Sequence, residues 1–169
     1  MNSEPTAAKR PAPPDLAFRL LGAADATEAA EVVRTAFSAQ SRATSPPSSA
    51  LRETADSVAA KIAAGGGVGA FGEGSLVAVL IWQIDGDALY VGRVSVLPPF
   101  RGRGLTRPLI AACEAAARAC GVRRIRLRVR LALPENERLF ERYGFARCGI
   151  DTHEGFDAPT TAVMEKRLS

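Results

Sequence analysis

The chain has 169 residues, 47% hydrophobic and 24% charged, with a formal net charge of +4, enough apolar material for the core of one domain. No apolar run approaches the roughly 20 residues that span a bilayer, and the first residues lack the basic-then-apolar layout of a secretory signal. One histidine and three cysteines without a CxxC spacing give no basis for a metal site, and free thiols make a reducing cytoplasm the expected setting.

Residues 1–16, rich in proline and alanine, read as a disordered leader, and the folded unit is expected over 17–169. Phe18–Leu21 predicts a first strand. Asp25 is expected to cap a helix running to Ser38, with Ala29, Val32, Val33 and Phe37 on its inner face. A Ser/Pro loop follows, then a second helix over Ala50–Ala64, closed by Gly65-Gly66-Gly67. Val68–Phe71 and Leu76–Ile84 read as strands of a hairpin, and Leu89–Leu97 as the next strand. Pro98 and Pro99 cannot donate to a ladder and end it. A helix is predicted from Leu105 to Cys120, with Leu109, Cys113 and Ala116 at helical spacing and Gly121 as its stop. Cys113 and Cys120, seven apart on one face, read as core thiols. The last elements are a strand at 125–131, a helix at 135–143 and strands at 145–151 and 160–166. The order is βααβββαβαββ. It predicts an α/β (α+β) domain with a mixed, mostly antiparallel sheet of six to seven strands and about four flanking helices.

The segment Arg101-Gly102-Arg103-Gly104-Leu105-Thr106 lies between a strand and a helix N-terminus. Unpaired N–H groups and the positive end of the helix dipole meet there, two glycines leave the backbone open, and two arginines add charge: an expected phosphate cradle. Leu105-Thr106 stands where a nucleoside-triphosphate loop needs Lys-Ser or Lys-Thr. Arg107 stands where a dinucleotide fold needs its third glycine. Those two classes are disfavoured.

Downstream, Ile125-Arg-Leu-Arg-Val-Arg-Leu131 alternates with period two, and Asn136, Leu139-Phe140 and Gly144-Phe145 follow in order. Together with the glycine turn, these residues resemble the GNAT superfamily of acetyl-CoA-dependent N-acetyltransferases over roughly residues 17–168. The family's turn reads Arg/Gln-x-x-Gly-x-Gly/Ala, matched here except that Thr106 takes the last place. The resemblance implies the GNAT fold, acetyl-CoA as cofactor, and a small-molecule or peptide amine as acceptor. It is compatible with a homodimer. It also implies that Val94, Ser95 and Val96 border the pantetheine arm, with an amide at Val96 or its neighbour polarising the thioester. Residues 101–106, with Asn136 and Phe140, are then expected at the cofactor.

Phe140 replaces the tyrosine that in many members protonates the departing thiolate, and Tyr143, three residues on, is the candidate substitute or a packing aromatic. For the proton of the attacking amine the candidates are His153, in the loop 151–157, and Glu53, at the start of the second helix. Arg93 is expected to meet an acidic group on the acceptor or a surface carboxylate, and Trp82 to be core. Residues 101–130 hold nine arginines and one acidic residue, Glu114, but no aromatic is interleaved, which argues against a nucleic-acid surface. A non-catalytic acyl-CoA-binding module of the same fold is the alternative that Phe140 and Thr106 leave open.

Overall fold

The computed structural model describes residues 15–169. Seven strands form one sheet: β1 (Leu16–Leu20), β2 (Gly66–Gly72), β3 (Ser75–Asp85), β4 (Ala88–Val96), β5 (Arg124–Arg130), β6 (Ala146–Asp151) and β7 (Thr161–Arg167). The spatial order is β1-β2-β3-β4-β5-β7-β6. Every neighbouring pair is antiparallel except β4 and β5. Four helices cover it: α1 (Ala26–Ser38), α2 (Ala55–Ala64), α3 (Thr106–Ala119) and α4 (Pro134–Glu141). None is long and apolar enough to cross a membrane.

The alternation of each strand divides the apolar residues between two cores. Leu80, Leu89, Ile125, Leu127 and Met164 bury against Leu109 and Cys113 of α3 and Phe140 of α4. On the opposite face, Val79 and Ile81 bury against Val32 and Val33 of α1 and Val58 of α2. Each fully buried aliphatic side chain contributes about 1.5–3 kcal/mol.

The expected element order holds, with local corrections. Most of the leader falls on residues 1–14, outside those described; Leu16, assigned to it, already pairs with Gly72 in β1. Asp25 does not cap α1. Its carboxylate accepts from the Gly22 amide at 2.8 Å and from both terminal nitrogens of Arg19 at 2.9 Å. The second helix is broken: Ser49–Arg52 form a short 3-10 turn and α2 starts after Thr54, whose hydroxyl accepts from the Ser57 amide at 3.1 Å. Gly66 and Gly67 belong to β2 rather than to a helix stop. Cys120 is exposed at the end of α3. The last helix ends at Glu141, so Tyr143 sits in the turn beyond it.

Two features of β4 create an opening. It pairs with β5 only from Leu89 to Val91, against Ile125 to Leu127. Beyond that point its pairing with β3 shifts register, and Arg93 adopts φ +54, a left-handed conformation that strains a residue with a side chain. The Arg93 guanidinium anchors the bulge, donating from Nε to Glu53 at 2.7 Å and from a terminal nitrogen to Ser49 at 2.8 Å. The strand bends, and β4 parts from β5.

Candidate active site

A cleft of about 1000 Å³ occupies the gap between the parting strands. Its walls include Trp82, residues 90–96 of β4, residues 127–130 of β5, the glycine turn, Asn136, Phe140, Tyr143 and His153. The cleft reaches the N-terminus of α3 and also Gln40, Ser48 and Ser49 between α1 and α2.

At the α3 end, Gly102 and Gly104 have φ of +73 and +78, and a Cβ on either would meet no atom within 4 Å. Glycine is needed for backbone conformation, and the space beside it is open. No amide from Gly102 to Thr106 donates to an acceptor among the described residues. A loop of free N–H groups at a helix N-terminus, open on its outer side, suits a pyrophosphate. Leu105 and Thr106 are largely buried where α3 begins, and both border the cleft.

Arg101 departs from expectation. Its guanidinium donates to the carbonyls of Ala36 at 2.8 Å, Ala39 at 2.9 Å and Val96 at 3.1 Å. It ties the C-terminal end of α1 to the last residue of β4, so its side chain positions the turn and is not free to hold an anion. Arg103 and Arg107 remain exposed, over the rings of Phe100 at 5.5 Å and Tyr143 at 5.3 Å.

Val94, Ser95 and Val96 line the cleft. The Leu97 amide donates to Val77 at 2.9 Å, so Val96, one residue away in the ladder, turns its own N–H and C=O from β3 toward the gap. Its carbonyl is held by Arg101; its amide faces the cleft. Ser95 is buried, its hydroxyl donating to the Arg93 carbonyl at 3.3 Å. Asn136 lines the cleft in the first turn of α4. Phe140 is buried, edge-on to Phe145 with ring centroids 5.8 Å apart. Tyr143, three residues beyond Phe140, lines the cleft with Arg107 over its ring, and the other tyrosine, Tyr90, lines it too.

The two base candidates separate. His153 lines the cleft, its Nδ1 hydrogen-bonded to the Thr160 hydroxyl. Partial desolvation, then Arg130 and Arg128, hold the imidazole below its usual 6.5 against the opposing pull of Asp151. It is therefore neutral at pH 7, and Nε2 carries the free lone pair when Nδ1 donates to Thr160. Glu53 is 3% exposed and does not line the cleft. Burial works to raise its pKa, but Ser57, Lys61 and Arg93 outweigh it and hold the carboxylate ionised below the usual range. It is a structural anchor. The spacing Glu53, Ser57, Lys61 carries that signal in the sequence, since these side chains share a face four residues apart.

None of the three cysteines lines the cleft, and burial pushes the Cys113 thiol up to about 12. A cysteine nucleophile has no place here.

An open sheet whose central strands part over a glycine-lined helix N-terminus is the architecture of an acyltransferase. The family model of the Acetyltransferase (GNAT) family matches residues 31–145, and the chain belongs to that family. Comparison with curated proteins gives no match. Among solved structures, the PaiA N-acetyltransferase of Thermoplasma acidophilum, in complex with coenzyme A, superposes with a TM-score of 0.73 at 18% identity, over 91% of this chain and 99% of that one. A ribosomal-protein alanine N-acetyltransferase of Escherichia coli gives 0.72 at 19% identity, over 91% and 94%. Nourseothricin acetyltransferase gives 0.57 at 25% identity, over 62% and 65%.

Proposed function

We propose that the protein transfers an acetyl group from acetyl-CoA to a primary amine of a small molecule or peptide, by direct attack with both substrates bound, in the cytoplasm. The parting of β4 and β5 above a turn of free amides carries this reading: one cleft joins an anion cradle to a strand edge with an unpaired N–H. The solved relative in complex with coenzyme A supports the choice of cofactor.

Acetyl-CoA supplies an electrophilic acyl carbon and a thiolate that can leave. The amides from Gly102 to Thr106 would hold its pyrophosphate, with Arg103 and Arg107 adding charge at the rim. The exposed edge of β4 from Val94 to Val96 would run beside the pantetheine arm. The Val96 N–H stabilises the negative charge that develops on the thioester oxygen. His153 Nε2 takes a proton from the amine, because an ammonium has no lone pair with which to attack. The neutral amine would form the C–N bond as the C–S bond breaks, and the Tyr143 hydroxyl would protonate the departing sulfur. The second proton shed by the nitrogen would restore the Tyr143 phenol, while His153 keeps the first.

Thiol release from acetyl-CoA, followed against a panel of amines, tests the reading. Release that depends on an added amine supports it. Tight acetyl-CoA binding with no amine-dependent release would instead make this a binding module, in line with Phe140.

A further inference from the structure

Arg130 stands apart from the arginines it alternates with. Arg126 meets Glu165 at 2.8 Å and Arg128 meets Asp151 at 3.0 Å. The guanidinium of Arg130 has no ion pair or hydrogen bond among the described residues, although the side chain is half-buried and desolvation works against its charge. A half-buried guanidinium that opens onto the cleft without a protein partner is a ready site for an anion.

Its place in the fold says which ligand. Leu127 and Val129 bury against α3 and α4, beside the glycine turn. Arg128 and Arg130 alternate with them and so project to the other face of β5. Arg130 lines the main cleft and also a side pocket of about 160 Å³, formed by Thr44 and Ser45 before α2 and by Pro159 and Thr160 before β7. Thr160 is the residue that holds His153. The free cation and the candidate base thus flank one corner, across the strand from the cradle. Among the described residues, seven cationic side chains line the cleft. Lys61 and Arg93 are paired with Glu53, Arg128 with Asp151, and Arg101 is held by backbone carbonyls, which leaves Arg107, Arg130 and Arg142 without an ion pair. The one lining carboxylate, Glu135, already accepts from Ser41. An acceptor bearing several positive charges would be repelled, and one bearing an anion would be drawn in.

We propose that the acceptor is an amine that also carries an oxyanion, a carboxylate or a phosphate, which Arg130 binds while His153 faces the amine. This deepens the transfer proposed above and rests on it. A guanidinium suits either group through paired N–H donors.

Two measurements test the proposal. In the first, N-acetyl amino acids, their carboxamides and N-acetyl-phosphoethanolamine are titrated by calorimetry into the wild type, Arg130→Gln and Arg130→Lys, with coenzyme A as a check on folding. At least one anionic product should bind the wild type about tenfold or more tighter than its neutral partner. Arg130→Gln should abolish that difference, Arg130→Lys should restore part of it, and coenzyme A affinity should stay unchanged. Preference for carboxylates or for the phosphate identifies the natural anion. Equal binding of anionic and neutral products, or weakened coenzyme A binding in Arg130→Gln, would overturn the proposal. In the second, turnover is compared for lysine and cadaverine, phenylalanine and phenethylamine, phosphoethanolamine and ethanolamine. A preference for the decarboxylated or dephosphorylated members would reject the anion site while leaving the acetyltransferase reading intact. Anion binding without turnover on any amine would reject that reading instead.

Discussion

The Nε of Arg93 lies 2.7 Å from Oε1 of Glu53, joining the bulge of β4 to the segment that precedes α2, forty residues away in sequence. Lys61 Nζ reaches the same oxygen at 2.9 Å and Arg34 donates to the Glu53 carbonyl at 2.6 Å. Glu53→Gln would strand two cations around a buried amide and cost about 3–5 kcal/mol, lowering Tm by roughly 10 °C. The carboxylate is held below its usual range in the fold, so its contribution is full above that range and disappears as pH falls through the folded value. Thermal unfolding from pH 7 down to 3 should show this acid-induced loss in the wild type, and a shallower slope in the Gln variant.

Gly104→Glu tests the cradle. The variant places a carboxylate and a strained φ of +78 where free amides face open space. Coenzyme A affinity should fall by about a hundredfold or more, since each charge-assisted contact to an anion is worth roughly 1.5–3 kcal/mol. Unchanged affinity in a calorimetric titration would remove the turn from the cofactor site.

Tyr143→Phe separates a proton donor from a packing aromatic. Loss of the hydroxyl should lower kcat by about a hundredfold, with KM for acetyl-CoA little changed, because the ring and its contact with Arg107 remain. The double change Phe140→Tyr with Tyr143→Phe should recover part of the rate if a phenol at either position reaches the sulfur. Wild-type kcat at every pH for Tyr143→Phe would assign the residue to packing.

His153 sets the acid side of the pH profile. With its pKa held below 6.5 by partial desolvation and by Arg130 and Arg128, kcat/KM should rise with pH through that lowered value and then level off. His153→Gln should lower the rate and flatten that limb. Replacing Arg130 removes one of the cations that depress the imidazole, so Arg130→Gln should move the limb upward, toward the ordinary histidine value.

Periodicity made much of this fold legible. The alternation of Arg126, Arg128 and Arg130 with apolar residues placed β5, and Pro98-Pro99 with Gly102 and Gly104 placed the glycine turn between β4 and α3. What eluded the sequence was tertiary. Nothing local announces that Arg101 will cap carbonyls 62 and 65 residues away, or that Glu53 will be drawn out of a helical run by Arg93. Tyr143 leaves the helix because Gly144, at φ +91, closes the turn after Glu141. The pairing of Arg126 and Arg128 but not Arg130 depends on Glu165 and Asp151, carried by strands that only the folded sheet brings alongside.

Thermal unfolding with acetyl-CoA, set beside ATP, NADH and NADPH, tests the central claim most directly. At a hundred times Kd, a ligand that binds only the native state adds about 2.7 kcal/mol, which raises Tm by roughly 5–10 °C for a chain of this size. The account predicts that rise with acetyl-CoA and not with the three nucleotides. No shift at millimolar acetyl-CoA, or an equal shift with ATP, would contradict it.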